Sequence, residues 1–380
     1  MASIRKRTWV SKGQKRTAWV VDYFDQSRVK RRKTFASKKL ATDWATTALH
    51  EVKAGLHTPA SVSVTVIKAG DLWVDHCEAE GLERATVRQR QQHLRLHINP
   101  FLGNNRLAEL TAPSIYNFDD QLRKGGRSVA MRRKVVTSLK TMLTFAQTRG
   151  MVAQNVARAV KVKSDSRMKN GPLREGIDFP SRAELRLLLD SASKRWRPLL
   201  VVAMFTGMRA SELRGLRWSD VNWSEGIIHV RQRADAWAQI GATKTEAGKR
   251  DIPLAPIVVN SLREWHAACP TGKPGLVFPN GRGNVESLQN IYKRYWTPTQ
   301  VASGLVSDGP SPRPRYRFHA LRHAAASLFI AYLGWTPKRV QVVMGHSSIT
   351  VTYDTYGHLF EDKTADREAM KKIEAAIVAA

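Results

Sequence analysis

Five residues in three short segments could cut and rejoin a phosphodiester bond. Arg209 lies in TGMRASELRGLRW (206–218), His319 and Arg322 in HALRH (319–323), and His346 and Tyr356 in GHSSITVTYDTYGHL (345–359). Such a reaction needs a nucleophile attacking in line and fixed positive donors for the charge that develops on the non-bridging oxygens. It also needs a proton for the leaving oxygen. Arginine suits the clamp, because its planar fork grips two oxygens and keeps its charge. Tyrosine is a poor nucleophile at its free pKa of ~10, so it needs a cationic setting or a base. The set implies DNA breakage and rejoining by a tyrosine.

Each residue also has a plainer reading. Arg209 follows the apolar run VVAMFTGM, where a charge must be paired or aimed at a ligand. Glu212, three residues on, shares its helical face and can orient it, or the two form an ordinary helix ion pair. Arg214 and Arg217 read as solvated or backbone-contacting. His319, Arg322 and His323 lie at i, i+3 and i+4, near one helix face. His319 can move a proton or bind phosphate, Arg322 can complete an arginine pair, and His323 reads as a buried orienting residue. The H-x-x-x-H spacing invites a metal, but the HExxH glutamate and an evident third ligand are missing. Gly345 can make a tight turn that exposes His346, which could otherwise be a structural hydrogen bonder. Tyr353 is the internal rival of Tyr356. Lys244, in GATKTEAGKRDIPL, sits on an expected β-hairpin from which it can protonate a departing 5′ oxygen. Lys249 and Arg250 compete for that role, and an ordinary surface lysine is the plain alternative.

The elements that must position these residues follow from periodicity. TAWVVDYF and VKRRKTF read as strands, with DQS as a turn. The stretch from Ser37 reads as a helix capped by Ser37, with Leu40, Trp44, Thr47 and Leu49 facing a small sheet. GLHTPASVSV reads as a linker. Helical spacing then recurs at Val66, Ala69, Leu72 and Trp73, at Val87, Gln91, Leu94 and Ile98, and at Val135, Leu139, Met142, Leu143 and Ala146. The last helix is expected to carry Arg132, Arg133, Lys134 and Lys140 away from its apolar stripe. Residues 160–180 are polar and basic with Gly and Pro, the best domain boundary. SRAELRLLLDSA opens with a Ser181–Glu184 capping box, RPLLVVAMFTGM is an apolar helix, and residues 226–254 read as strands and turns. The end of the chain reads as an amphipathic tail.

Composition narrows the partner. The chain has 380 residues, 42% of them hydrophobic, with eleven Trp and eleven Phe, enough for real cores. Its 62 Lys and Arg against 32 Asp and Glu leave a formal charge of +30, which attracts a polyanion. Residues 1–40 alone hold thirteen Lys or Arg against two Asp. Nucleic acid comes before an anionic membrane surface, because no apolar stretch of ~18 residues accompanies the charge. The N-terminus lacks a secretory apolar core. Cys77 and Cys269 form neither a metal pattern nor a disulfide framework, and read as small hydrophobes in a reducing compartment.

Together the segments resemble the tyrosine recombinase family, and within it the phage-type integrases, over nearly the whole chain. That family's T-G-x-R-x-x-E-L is matched by TGMRASEL (Arg209). Its hairpin T-K-T is matched at Lys244, H-x-L-R-H by HALRH (His319, Arg322), L/M-G-H at His346, and the nucleophile segment by TYGHL (Tyr356 over Tyr353). The resemblance implies that Tyr356 attacks the scissile phosphate, forming a 3′-phosphotyrosyl link and a free 5′-hydroxyl. Lys244 would be the general acid, Arg209 and Arg322 would stabilise the pentacovalent state, and His319 and His346 would assist, His319 being the better acceptor of the tyrosine proton. Neither a cofactor nor a nucleophile-activating metal is implied. Two rounds through a four-way junction would exchange duplexes within a homotetramer.

The implied architecture is multidomain. A small β-sheet-plus-helix N-terminal module (1–58) would read arm sites, with Arg31, Arg32 and Lys33 as DNA contacts. An all-α core-binding domain (64–160) would use Arg132, Arg133, Lys134 and Lys140. After a linker (161–177) comes a mainly α, mixed α/β catalytic domain (178–362), then a helical tail (363–380) that touches a neighbouring subunit. Expected partners are double-stranded attachment sites, core and arm, a host DNA-bending protein and an excision factor, in the bacterial cytoplasm and without a membrane. The basic N-terminal module favours integration and excision of a phage or related mobile element over a chromosome or plasmid resolvase. A non-cleaving architectural or regulatory DNA binder leaves Tyr356, Arg209 and Arg322 unexplained.

Overall fold

The computed structural model describes residues 2–11, 14–60, 62–163, 171–309, 311–360, 370–372 and 374–377. It divides into two compact units, 1–169 and 170–380.

The first unit opens with an antiparallel sheet of β1 (Ser3–Ser11), β2 (Gln14–Phe24) and β3 (Lys30–Phe35), in that order. β2 and β3 are the two expected strands; β1 is not evident from the sequence, because its charged side chains hide its alternation. Pairing makes it a strand: Ile4 lies opposite Val21 and Lys6 opposite Trp19. Helix Lys38–Lys53 packs on the sheet, and the Ser37 hydroxyl caps it by accepting from the Leu40 N–H at 3.3 Å. The expected inner face was wrong in phase. Ala41, Ala45 and Ala48 are buried, Trp44 lies at the edge, and Leu40 and Thr47 are exposed. Small side chains let the helix come close to the sheet, where Val21 and Tyr23 are buried.

Residues 55–64, read as a linker, are fastened on both sides. His57 is buried, with its ring nitrogens 2.9 Å from the Tyr23 hydroxyl and 3.0 Å from a Glu51 carboxylate oxygen. Thr58 Oγ1 accepts from Ala153 N at 2.7 Å, and Arg106 donates to the carbonyls of Ala60 and Ser63. Beyond it, helices Val66–Ala79, Arg84–His93, Ala112–Lys124 and Val129–Thr148 close a separate core. The expected stripe Val135, Leu139, Met142, Leu143 and Ala146 is fully buried there.

The second unit is mainly helical. The Ser181–Glu184 capping box is present at the head of helix Arg182–Ser191. Helix Arg197–Thr206 is buried on nearly all sides, as its unbroken apolar run requires. β4 (Val221–Asn222), β5 (Ile227–Val230) and a later strand form one small sheet. Between them, β6 (Gln232–Ala234) and β7 (Ile240–Ala242) pair as a hairpin, and the later strand is β8 (Arg250–Pro253). Helices Ala320–Ala331, Pro337–Met344 and Ile349–Tyr356 pack into the same core as Arg197–Thr206. Of the expected tail, the described residues 370–372 and 374–377 are helical and exposed, and its expected contact with a neighbour rests on residues outside the described ones. Among the described residues no helix is long and apolar enough to cross a membrane.

Candidate active site

Two left-handed glycines bring distant segments to one point. Gly207 ends helix Arg197–Thr206 at φ +61°, and an added Cβ would lie 2.8 Å from Met344 Sδ and 3.3 Å from Ala325 Cβ. The turn delivers Arg209 as the N-cap of helix Ala210–Gly215. Gly345 ends helix Pro337–Met344 at φ +65°, as its sequence context predicts, and presents His346.

One carboxylate then organises the cations. Glu212 accepts from the Arg209 guanidinium at 2.7 Å and from the Arg209 backbone N–H at 2.8 Å. It also accepts from both terminal nitrogens of Arg250, at 3.2 and 2.9 Å. Burial alone would raise its pKa, but the hydrogen bonds and charge of Arg250, with the charge of Arg209, outweigh this and hold it at about 2. Arg209 also donates to the Gly345 carbonyl at 2.8 Å. Arg322 is buried and donates to the carbonyls of Gly207 (2.7 Å) and Met344. Burial and the nearby Arg209 lower its pKa to about 9, so it stays cationic at neutral pH. Arg209 and Arg250 thus share one carboxylate while Arg322 is held by carbonyls alone, a cationic surplus that an anion would neutralise. Arg209, with 37% of its side chain exposed, is the member open to a ligand.

The histidines and the tyrosine pack beside this cluster. His346 is buried with Nδ1 2.9 Å from Thr352 Oγ1, and its ring lies parallel to Tyr356 at 6.2 Å between centroids. Burial, then Arg322 and Arg209, push its pKa down to about 3, so it is neutral. Tyr356 is 1% exposed, and burial raises its hydroxyl to about 12 against the opposing charge of Arg322. Tyr353 is exposed and leans on Phe360 instead.

The partner of the tyrosine differs from the expected one. His323 Nδ1, not His319, lies 2.8 Å from the Tyr356 hydroxyl. His319 stands edge-on to His323 at 5.0 Å, with one side open to solvent. Burial of its other side, then His323 and Arg322, lower its pKa to about 4. Burial and Arg322 lower that of His323 as well. A neutral His323 can therefore accept from the tyrosine. The i, i+4 spacing in HALRH carried that signal, since it sets the second histidine one turn along the same face.

The remaining basic residues differ in their settings. Lys244 is exposed on the loop after β7. Arg250, weighed as its rival, is buried against Glu212 and donates to the Val343 carbonyl at 2.6 Å, so it braces the site. Of the two readings of Arg214 the backbone-contacting one holds: it is buried and donates to the Glu286 carbonyl at 2.6 Å. Arg132 does not lie on the exposed basic face: it is buried in a two-pronged pair with Asp119 at 2.8 and 2.7 Å. Lys140 is half-buried and donates to the Val160 carbonyl. Arg133 and Lys134 are exposed. In the N-terminal sheet Arg31 pairs with Asp25 at 2.7 Å, and the Lys33 amine sits 4.8 Å over the Trp44 ring. Arg32 lies on the opposite face, where Asp22 pairs with it and with Arg5 of β1, a strand the sequence reading missed.

Fold and site together define a tyrosine-type site-specific recombinase, a class supported by comparison with known proteins. Residues 180–363 match the phage integrase family, and the fold is that of the tyrosine recombinases. The prophage integrase IntR of Escherichia coli K12 is 25% identical over 70% of this chain and 66% of its own length. An integrase of Streptomyces ambofaciens is 26% identical over 90% of both chains. Two solved structures share the fold. The Tn1549 transposon integrase in complex with a circular intermediate DNA superposes with a TM-score of 0.66 and 19% identity, covering 82% of this chain and all of that one. A lambda integrase tetramer bound to a Holliday junction gives 0.58 and 19% identity, over 90% of this chain and 96% of that one.

Proposed function

We propose that this recombinase is an integrase that inserts and excises a phage or related mobile element in a bacterial cell. It would act as a DNA-bound tetramer, through a 3′-phosphotyrosyl intermediate and a four-way junction. The observation that carries this reading is the meeting of Arg209, Arg322, His319, His323, His346 and Tyr356 around one cationic centre. Arg209 and Arg322 hold the phosphate, and Tyr356 attacks it. The hydroxyl proton passes to His323, its hydrogen-bond partner, and Lys244 protonates the departing 5′ oxygen. Tyr356 is buried, so attack requires it to leave its seat for the phosphate.

The domain roles belong to the same proposal. The outward face of β1–β3, with Arg5 and Arg32, would meet arm-site DNA. Arg133 and Lys134 would meet the core site through phosphate contacts. A host bending protein and an excision factor belong to the same proposal. The deciding experiment traps adducts on nicked duplexes from the element's ends and maps the linked peptide. A 3′-phosphate on Tyr356 supports the proposal. DNA that binds without forming an adduct would favour a non-cleaving binder.

A further inference from the structure

A second cationic site lies in the catalytic unit, away from the tyrosine. A cavity of about 600 Å3 is lined by Arg195, Arg282 and Arg294 together with Trp196, Asn280 and Asn290. The side chains of Arg282 and Arg294 are exposed and have no carboxylate partner among the described residues. Arg195 rests on the Trp196 ring at 5.4 Å. The one carboxylate in the lining, Glu286, is buried and already accepts from Ser287 N and Asn290 Nδ2, both at 2.9 Å. Three guanidinium groups line the cavity against a single carboxylate, a cationic surplus that attracts an anion.

The cavity is tied to the active site by covalent and hydrogen-bonded scaffold. Its Glu286 carbonyl accepts from Arg214, which lies on the same short helix that Arg209 caps. Five residues of helix cover roughly 7.5 Å. Along duplex DNA each strand carries a phosphate every ~3.4 Å of axis. Arg214, bonded to the cavity's Glu286, thus stands about two phosphate spacings along that helix from Arg209. A lone small anion would fill little of the space and would not account for the shared scaffold.

We infer that Arg282 and Arg294, with Arg195, form a phosphate-binding site for the backbone of the duplex that Arg209 engages. The site sets how the duplex lies and takes no part in the chemistry. This inference rests on the proposed DNA-cleaving function only for the identity of the duplex.

The test uses the full chain, a short duplex of arbitrary sequence and affinity measured against salt. Two lost phosphate contacts should flatten the slope of log K against log salt by about 1.8, at ~0.9 per contact. Arg282→Gln with Arg294→Gln should show this flattening, and the Lys versions of both should restore most of the slope. An unchanged slope in the Gln variant overturns the inference, and so does a loss confined to particular base pairs, which would mean base reading. Adduct formation by the unaltered protein is scored separately. An adduct with an unchanged slope leaves the proposed function standing and removes this site. A flattened slope without any adduct keeps the site and removes the cleavage chemistry.

Discussion

His323 Nδ1 lies 2.8 Å from the Tyr356 hydroxyl, across 33 residues of sequence. The contact makes His323 the proton acceptor within reach before the tyrosine moves. A general base typically contributes roughly 10²–10⁴-fold. His323→Ala should therefore slow single-turnover cleavage by about that range at unchanged DNA affinity. The base must be neutral, and burial and Arg322 hold its pKa below 6.5. Wild-type cleavage should then be flat from pH 6.5 through neutrality and fall at more acidic pH. A merely structural His323 would leave the variant with the same acid limb, and that profile would sink the assignment.

Tyr356→Phe removes the nucleophile and its hydrogen bond. DNA binding should persist, the covalent adduct should vanish, and stability should fall by about 1 kcal/mol. Tyr353→Phe should leave the adduct intact, because Tyr353 is exposed and outside the cluster. Denaturing gels of trapped complexes report both, and an adduct surviving in Tyr356→Phe would refute the nucleophile.

Much of this was legible in the sequence because it is local. The turn at Gly345, the Ser181 cap, the buried stripe of helix Val129–Thr148 and the segments around Arg209 and Tyr356 all depend on spacings of a few residues. What stayed hidden depends on partners far along the chain. Arg250 reads as one of three hairpin cations until Glu212, 38 residues earlier, claims it. Arg132 reads as one of a basic run until Asp119 buries it. β1 reads as a charged tail until β2 supplies its hydrogen bonds. Helix Lys38–Lys53 shows its large residues in sequence, whereas the sheet selects its alanines.

Glu212 should matter for stability as well as for orientation. Glu212→Ala leaves Arg250 buried without its carboxylate, a change that typically costs about 3–5 kcal/mol. The folded pKa of about 2 lies below the ordinary glutamate value of 4.5. Its contribution is therefore complete above pH 4.5 and drains away as pH falls toward 2. Denaturant unfolding should show the gap between wild type and variant narrowing across that window. A gap independent of pH would mean that lost packing, not lost charge, sets the cost.

Lys244 carries the proposed acid on an exposed loop after β7. Lys244→Ala should slow cleavage by roughly 10²–10⁴-fold with little change in affinity. A substrate whose 5′ bridging oxygen is replaced by sulfur has a leaving group that needs no proton, so it should restore the variant's rate. Equal loss of binding and cleavage, without rescue by sulfur, would instead give Lys244 a phosphate-positioning role.

Four basic residues on one helix should separate into two behaviours. Arg132 is sealed against Asp119, and Lys140 is spent on the Val160 carbonyl, whereas Arg133 and Lys134 are exposed. Asp119→Ala should lower stability by up to about 3–5 kcal/mol, because it takes the carboxylate away from a buried guanidinium. It should leave the salt dependence of DNA binding unchanged wherever the protein remains folded. Arg133→Gln with Lys134→Gln should do the reverse, flattening the salt slope by up to about 1.8 while melting like wild type. Melting curves and salt titrations on the same preparations make the comparison. If the Asp119 variant alone changed the slope, Arg132 would have to reach DNA after leaving its pair. The basic run 132–134 would then act as one surface, as its sequence first suggests.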